Sequence, residues 1–306
     1  MAKYVLAISG GIDSMALLDL VANDYGGFRR QHFASAKWPD DFVVAHFDHG
    51  IRGNESHNDA EFVRTTVRQR YGLLVQIGCG ELPADTSEEV ARQARYQFLN
   101  QVVERWGDEG AAVMIVTAHH RDDLLETVAM NLIRGTGWRG LAPMSQRNVI
   151  RPLLGWNKVD IARYALEHNL AWREDQTNYS TKYFRNRLRS ALAGCSETDK
   201  QQLANLVLQQ INLRKQIDSE VDEYVRRHVT HDDGNNALCI RRYDLIMLPS
   251  EVARQVLWRI VDGKLTTPQL EDLLLFIKLG RPSKRMAWKD VAVRLAKSTV
   301  LIRIAN

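Results

Sequence analysis

The sequence is poor in cysteine and proline and has no long apolar run. Cys79, Cys195 and Cys239 are far apart and odd in number. They offer neither a disulfide framework nor a Cys-x-x-Cys metal or redox pair. A reducing, cytoplasmic setting is the expectation. No segment approaches the roughly 18 apolar residues of a membrane-spanning helix, so no membrane span is expected. The opening stretch has one lysine and a short apolar run but no small-residue cleavage site. It reads as a first strand and not as a signal peptide. Gly-Lys-Ser/Thr is absent, which excludes a Walker A loop. Internal repeats and low-complexity tracts are lacking.

What is present is an ordinary globular composition. The 306 residues, 45% of them hydrophobic, suffice for one large domain and a smaller one. The net charge of +4 is unevenly placed. Residues 1–133 carry 12 Lys/Arg against 19 Asp/Glu, residues 134–190 carry 11 against 4, and residues 191–306 carry 18 against 14. A basic middle and tail behind an acidic front suits a chain that grips a polyanion with one part and does chemistry with another. A merely solvated basic face has the same signature.

Hydrophobic patterning predicts buried strands at 3–8, 42–47, 73–77 and 112–118. They alternate with helices at 14–22, 58–71, 87–106 and 122–134, with a further helix at 157–169. Residues 25–41 read as a long loop. The alternation implies an α/β fold, a doubly wound, mostly parallel, Rossmann-like sheet with helices on both faces. Apolar residues from Leu203 to Tyr224 have the spacing of one amphipathic helix over 199–229. The polar stretch 231–236 reads as a linker. A strand (238–241), a helix (250–261), a second helix capped by Thr267 with Pro268 behind it, and strands near 292–295 and 300–304 make a small α+β appendage. The expected domains are 1–193, a helical linker 194–233, and a small α+β domain 234–306.

Three segments that follow predicted strands hold the chemistry-bearing residues, and in such sheets ligands sit at the strands' carboxyl ends. The first is Ser9-Gly10-Gly11-Ile12-Asp13-Ser14. Two glycines permit a tight turn and close approach of N–H groups to an anion, and the helix N-terminus behind adds partial positive charge. Asp13 would repel bare phosphate, which implies a bridging Mg²⁺. The second is His46-Phe47-Asp48-His49, where ligand contacts and ordinary hydrogen-bonded loop histidines are both open. The third runs from Thr117 through His119, His120, Asp123 and Glu126. Asp123 and Glu126 are three apart and share a helix face. The pair could hold ammonium groups or act as a base, against the plainer reading of a capping Asp in a solvated turn. Gly135-Thr136-Gly137-Trp138-Arg139-Gly140 follows a predicted helix and not a strand, so it is no dinucleotide fingerprint. It reads instead as a turn where backbone approaches RNA or ATP.

The first loop matches the pyrophosphate loop of the N-type ATP pyrophosphatases, which cleave ATP to AMP and pyrophosphate. The ordered set of SGGIDS, HFDHGIRGNES, ARQARYQFL (91–99), residues 117–144, IRPLL (150–154) and EDQTN…FRNRLR (174–189) resembles the tRNA(Ile)-lysidine synthetase family over residues 5–189. The resemblance implies ATP bound at Ser9, Gly10, Gly11, Ile12, Asp13 and Ser14, with Mg²⁺ at Asp13. It implies two substrates besides ATP: an isoleucine tRNA with a CAU anticodon, and free lysine. Asp123 and Glu126 would bind lysine and remove its proton, and His119 would sit beside the phosphates. Lys182, Arg185, Asn186, Arg187 and Arg189 would contact RNA or nucleotide phosphates. A tRNA thiolase of the same superfamily, and an inactive RNA-binding protein of this fold, are the alternatives. Isolated cysteines argue against the first, and intact Asp13, Asp123 and Glu126 against the second. The sequence gives no oligomeric state.

Overall fold

The computed structural model describes residues 2–50, 54–80, 82–83, 86–107, 112–173, 183–234 and 236–305, with side chains of the helices that open at 54 and 183 described from His57 and Leu188 onward. The chain divides into two compact units, Met1–Ile211 and Asn212–Asn306.

The first unit is built on β1 (Lys3–Ala7), α1 (Ile12–Asn23), α2 (Phe28–His32), β2 (Phe42–Asp48), α3 (Asn54–Thr66), β3 (Val75–Cys79), α4 (Glu88–Trp106), β4 (Val113–Val116), α5 (Arg121–Ile133), β5 (Val149–Ile150), α6 (Lys158–Glu167) and α7 (Tyr183–Ala193). Its five strands lie in the order β3-β2-β1-β4-β5, and every pairing is parallel. Strand alternation splits the core into two layers. Leu6, Val44 and Val116 are neighbours in register and face α1 and α6, packing with Leu17, Ile161 and Tyr164. Val5, Val43 and Ile115 are equally in register and face Leu99 and Val102 of α4. A sheet covered on both faces needs near-continuous apolar strands, as β1, β2 and β4 are. Ser87 caps α4, its hydroxyl accepting from Val90 N at 3.4 Å.

Strand order reverses between β1 and β4, which lie side by side. That reversal makes a crevice at their carboxyl ends, where the 8–11 and 117–120 segments emerge. Asp19, fully buried in α1, braces the helix behind the crevice. It accepts the hydroxyls of Tyr71 and Tyr164 at 2.8 Å each.

Several elements differ from expectation. The predicted loop 25–41 contains α2, because Phe28 and Phe33 plug the core beside Tyr4 and Phe42. The third strand starts two residues late, at Val75. The last turn of the predicted 58–71 helix is a π turn, Val67–Tyr71, which buries both of its end residues. Strand β5 is only two residues long, too short for a periodic signal. The 135–140 glycine turn lies at the far end of α5 from the crevice, about 20 Å along a 13-residue helix. Gly140 is required there by packing, since a Cβ would fall 1.8 Å from Thr136 Oγ1.

Helix α8 (Glu197–His228) is the single long helix expected, and the unit boundary falls within it. The second unit continues with β6 (Val229–Asp232), β7 (Ala237–Arg241), α9 (Arg242–Ile246), α10 (Ser250–Ile260), α11 (Thr267–Leu279), β8 (Arg285–Ala287), β9 (Val291–Leu295) and β10 (Thr299–Ile304). Its sheet is antiparallel, ordered β6-β7-β10-β9-β8. The 231–236 stretch expected as a linker carries the end of β6, which pairs with β7. Thr266, one residue earlier than predicted, caps α11 in a capping box with Gln269. Leu257, Leu273, Val293 and Ile302 anchor this unit's own core.

Candidate functional site

The glycine loop leaves β1 and turns at Gly10, whose φ of +92° lies where side chains are rarely tolerated. The loop is tied internally. Ser14 Oγ accepts from Gly10 N at 3.1 Å and donates to Gly11 O at 2.8 Å, while Ser9 Oγ lies 3.1 Å from Ser14 Oγ. Arg173 N holds Gly10 O from outside at 2.9 Å. Gly11 is the N-cap of α1 and brings no side-chain cap. The helix therefore presents its N-terminal amides and its partial positive charge without an internal anion on them.

Beside this loop opens a cavity of about 550 Å³ that contains much of the predicted chemistry. Asp13, Asp123, Glu126 and Arg189 all line it, and so does His120. Asp13 is gripped by a residue the sequence reading missed: Lys158 Nζ lies 2.5 and 2.6 Å from its two carboxylate oxygens. Lys158 opens α6, its own amide donating to Asp122 Oδ2 at 2.9 Å. Glu126 is buried and accepts from Arg189 Nε at 2.6 Å. That bond holds the Arg189 guanidinium charged even more firmly than usual. Across the cavity, Arg121 and Lys200 both pair with Glu197 at 2.5 and 2.9 Å. Asp123 caps α5, accepting from His120 N at 3.1 Å, and its carboxylate is 3.5 Å from His120 Nε2. Among the described residues no Lys or Arg forms an ion pair with it, although the Arg189 charge acts on it from the same cavity.

His119 does not line this cavity. Its Nδ1 meets Thr117 Oγ1 at 2.8 Å. Burial, then the charges of Arg151, Arg95 and Arg92, push its pKa down to about 3. It is a neutral imidazole in a cationic neighbourhood. His46 is buried, bonded to Ile8 O at 2.9 Å, and Asp48 caps Gly50 N at 2.8 Å. Among the described residues no group of three or more His, Cys, Asp or Glu is placed to hold a metal. Lys182 lies outside the described residues, as do the side chains of Arg185, Asn186 and Arg187.

Residues 1–194 match the PP-loop domain. The chain is 33% identical to the tRNA(Ile)-lysidine synthase of Thermotoga maritima, over 94% of this chain and 67% of that protein. The chain belongs to the tRNA(Ile)-lysidine synthase family. The lysidine synthase of Geobacter sulfurreducens is 32% identical over 78% of this chain and half of its own length. That of Enterococcus faecalis is 36% identical over 61% of this chain and 38% of its own. Among solved structures, the U34-tRNA thiolase NcsA from Methanococcus maripaludis superposes with a TM-score of 0.53 at 18% identity, covering 69% of this chain and 72% of that one. This last likeness concerns the fold. No described helix of this lysidine synthase family member is long and apolar enough to cross a membrane.

Proposed function

We propose that the chain is an ATP-dependent ligase that joins lysine to C2 of the wobble cytidine in a CAU-bearing isoleucine tRNA. The observation that carries this reading is the meeting, at one switch-point cavity, of the phosphate loop's Asp13 with the Asp123 carboxylate and a Glu126–Arg189 pair. One side can hold ATP's phosphates and the other a cationic amino acid.

ATP's phosphates lie on the Gly10–Gly11 turn and the N-terminus of α1, with Ser9 and Ser14 as hydroxyl donors. Asp13 is a hard oxygen donor of the kind that takes Mg²⁺ together with substrate phosphates, a mode that needs only one or two carboxylates. Bound there, the ion supplies charge neutralisation on the pyrophosphate. Lys158 sits at the same carboxylate and offers a second positive charge. The cytidine O2 attacks the α-phosphorus, and the bond to pyrophosphate breaks. The lysine side-chain nitrogen then attacks C2, and the C2–O bond to AMP breaks.

The attacking amine has a pKa of about 10.4 in water and must shed a proton first. Asp123 is suited to hold the side-chain ammonium because its carboxylate lines the cavity and forms no ion pair with a described Lys or Arg. The Arg189–Glu126 pair is suited to the substrate's carboxylate and α-amine, and Glu126 is a second acceptor for the proton. The test is mass spectrometry of tRNA nucleosides after incubation with ATP and isotope-labelled lysine. A labelled cytidine derivative is expected, and its absence with release of AMP from ATP would overturn the reading.

A further inference from the structure

Two adjacent carboxylates, Asp122 and Asp123, stand in the first turn of α5, and both line the cavity. They bond in different directions. Asp123 turns back on its own helix, at His120 N. Asp122 reaches another helix: its Oδ2 accepts from the backbone N of Lys158 at 2.9 Å. That amide opens α6, where a helix has no internal acceptor for its N–H. The exchange is reciprocal. The first amide of α5, Arg121 N, donates at 2.9 Å to Trp156 O, in the turn that leads into α6. Asn157 accepts from a different amide of the same turn, Asp160 N, at 2.7 Å. The first turns of α5 and α6 are thus clasped by two bonds, and Asp122 supplies the side-chain half of the clasp.

The far end of α6 is held independently. Tyr164 donates to Asp19 on α1 at 2.8 Å, and Arg70 reaches the carbonyls of His168 and Asn169 at 3.3 Å each. Burial, then the bond to Asp19, raises the Tyr164 pKa far above its ordinary value, so the phenol stays a donor. Loss of the Asp122 acceptor would therefore release the end of α6 that carries Lys158 and leave the other end anchored. The Lys158 ammonium meets Asp13, but its flexible four-carbon stem does not fix the backbone from which it hangs. The bond to Lys158 N does. An amide N–H needs an oxygen acceptor of the right reach and has no need of a full negative charge.

We propose that Asp122 is a positioning residue for the nucleotide half-reaction, an interhelix cap from α5 to α6 that holds the Lys158 ammonium at the phosphate loop. The proposal rests on the placement of ATP's phosphates beside Lys158 in the function proposed above. It gives the two neighbouring carboxylates separate tasks, Asp123 on the lysine side and Asp122 on the nucleotide side.

The experiment uses the full chain with Asp122→Ala and Asp122→Asn, each alone and combined with Lys158→Met. Equilibrium dialysis gives ATP affinity, adduct formation on tRNA gives the KM for lysine, and thermal unfolding reports on the fold. Asp122→Ala is expected to weaken ATP binding about three- to tenfold, within the roughly 10²-fold that misplacement by an ångström can cost. Asp122→Asn keeps an oxygen acceptor at the same reach. It should stay within about twofold of the wild type in ATP affinity and in KM for lysine. In the Lys158→Met background Asp122→Ala should cause no further loss, because the ammonium it positions is gone. A lowered thermal midpoint with unchanged ATP affinity in the alanine variant would overturn the proposal in favour of a purely structural cap. A marked loss of ATP affinity or a raised lysine KM in the asparagine variant would overturn it too, since charge and not the bond would then matter. That variant decides the point even where alanine fails to fold. A loss that persists undiminished in the Lys158→Met background would show that Asp122 acts without Lys158, and would equally overturn the assignment. Each of these results leaves the proposed function standing, whereas a wild-type chain that binds no ATP would overturn that function and this role with it.

Discussion

Lys158 Nζ lies within 2.6 Å of both carboxylate oxygens of Asp13, joining the start of α6 to the phosphate loop. Both side chains are partly open to solvent, so the pair adds well under about 1 kcal/mol to stability. Its value is positional, for it sets a cation where ATP's phosphates are proposed to arrive. Lys158→Met should leave the fold intact and weaken ATP binding, with tRNA-dependent pyrophosphate release slowed on the order of 10²-fold. Asp13→Asn should be more severe, since it removes the negative charge proposed to hold Mg²⁺ and breaks the ion pair with Lys158. Equilibrium dialysis with ATP and a pyrophosphate-release assay measure both. Unaltered ATP affinity in the methionine variant would leave Lys158 a surface residue.

Gly10 offers a test of the loop that bypasses charge. A Cβ there would meet Val63 Cγ2 at 3.0 Å and would sit on a backbone with φ of +92°. Gly10→Ala should cost about 1–3 kcal/mol in strain and displace the turn on which phosphate binding depends. Thermal unfolding with and without ATP reads both effects. The variant should melt lower and gain less from ATP than the wild type.

His119 gives a pH prediction with a definite sign. Its folded pKa, about 3, lies below the ordinary value of 6.5. Between those values the unfolded chain binds a proton that the folded chain does not. Stability therefore falls as pH drops below about 6.5, by at most about 1.4 kcal/mol per pH unit from this group. His119→Asn should flatten that acid limb in a series of denaturant melts. In the native protein, NMR of the imidazole nitrogens should show a neutral ring at pH 5. A protonated His119 there would mean that burial and the surrounding guanidinium groups do not hold the ring neutral.

The sheet was legible because its central strands are apolar on both faces and bounded by informative turns. The Ser9–Ser14 loop and the Asp123–Glu126 pair were legible because each is a local pattern. Lys158 was not. It is 145 residues from Asp13, and the strand that would have placed it at the crevice, β5, is two residues long and pairs only with β4. Asn157, which caps α6 by accepting from Asp160 N at 2.7 Å, was the available signal of a helix start after a strand. Arg189 was visible as a basic helix residue, but its partner Glu126 is 63 residues away and nothing local announces the pairing. The α2 segment was hidden for a similar reason. Phe28 and Phe33 are buried by distant strands, while the residues between them read as polar loop.

Glu126→Gln should separate the two half-reactions. Glu126 lies on α5 three residues beyond Asp123, in a cavity that Asp13 also lines, and its carboxylate is held by Arg189 at 2.6 Å. In the proposed mechanism adenylation draws on the phosphate loop, Asp13 and Lys158, which pair with each other and not with Glu126. Lysine capture is proposed to draw on the negative charge and basicity of the α5 carboxylates. Glutamine keeps the shape and removes both properties, and it leaves Arg189 without its counter-charge. Loss of a general base typically costs about 10²–10⁴-fold. The variant is therefore expected to release pyrophosphate and accumulate adenylated tRNA at near wild-type rates, while forming the lysine adduct slowly and requiring more lysine. Arg189→Ala should act in the same direction. Because the two groups touch, the double variant should be less impaired than the sum of the singles, with a coupling of about 0.5–3 kcal/mol. Collapse of adenylation with unchanged lysine dependence would instead assign Glu126 to the nucleotide side of the cavity, and additive effects would show that the Arg189 contact plays no part in lysine capture.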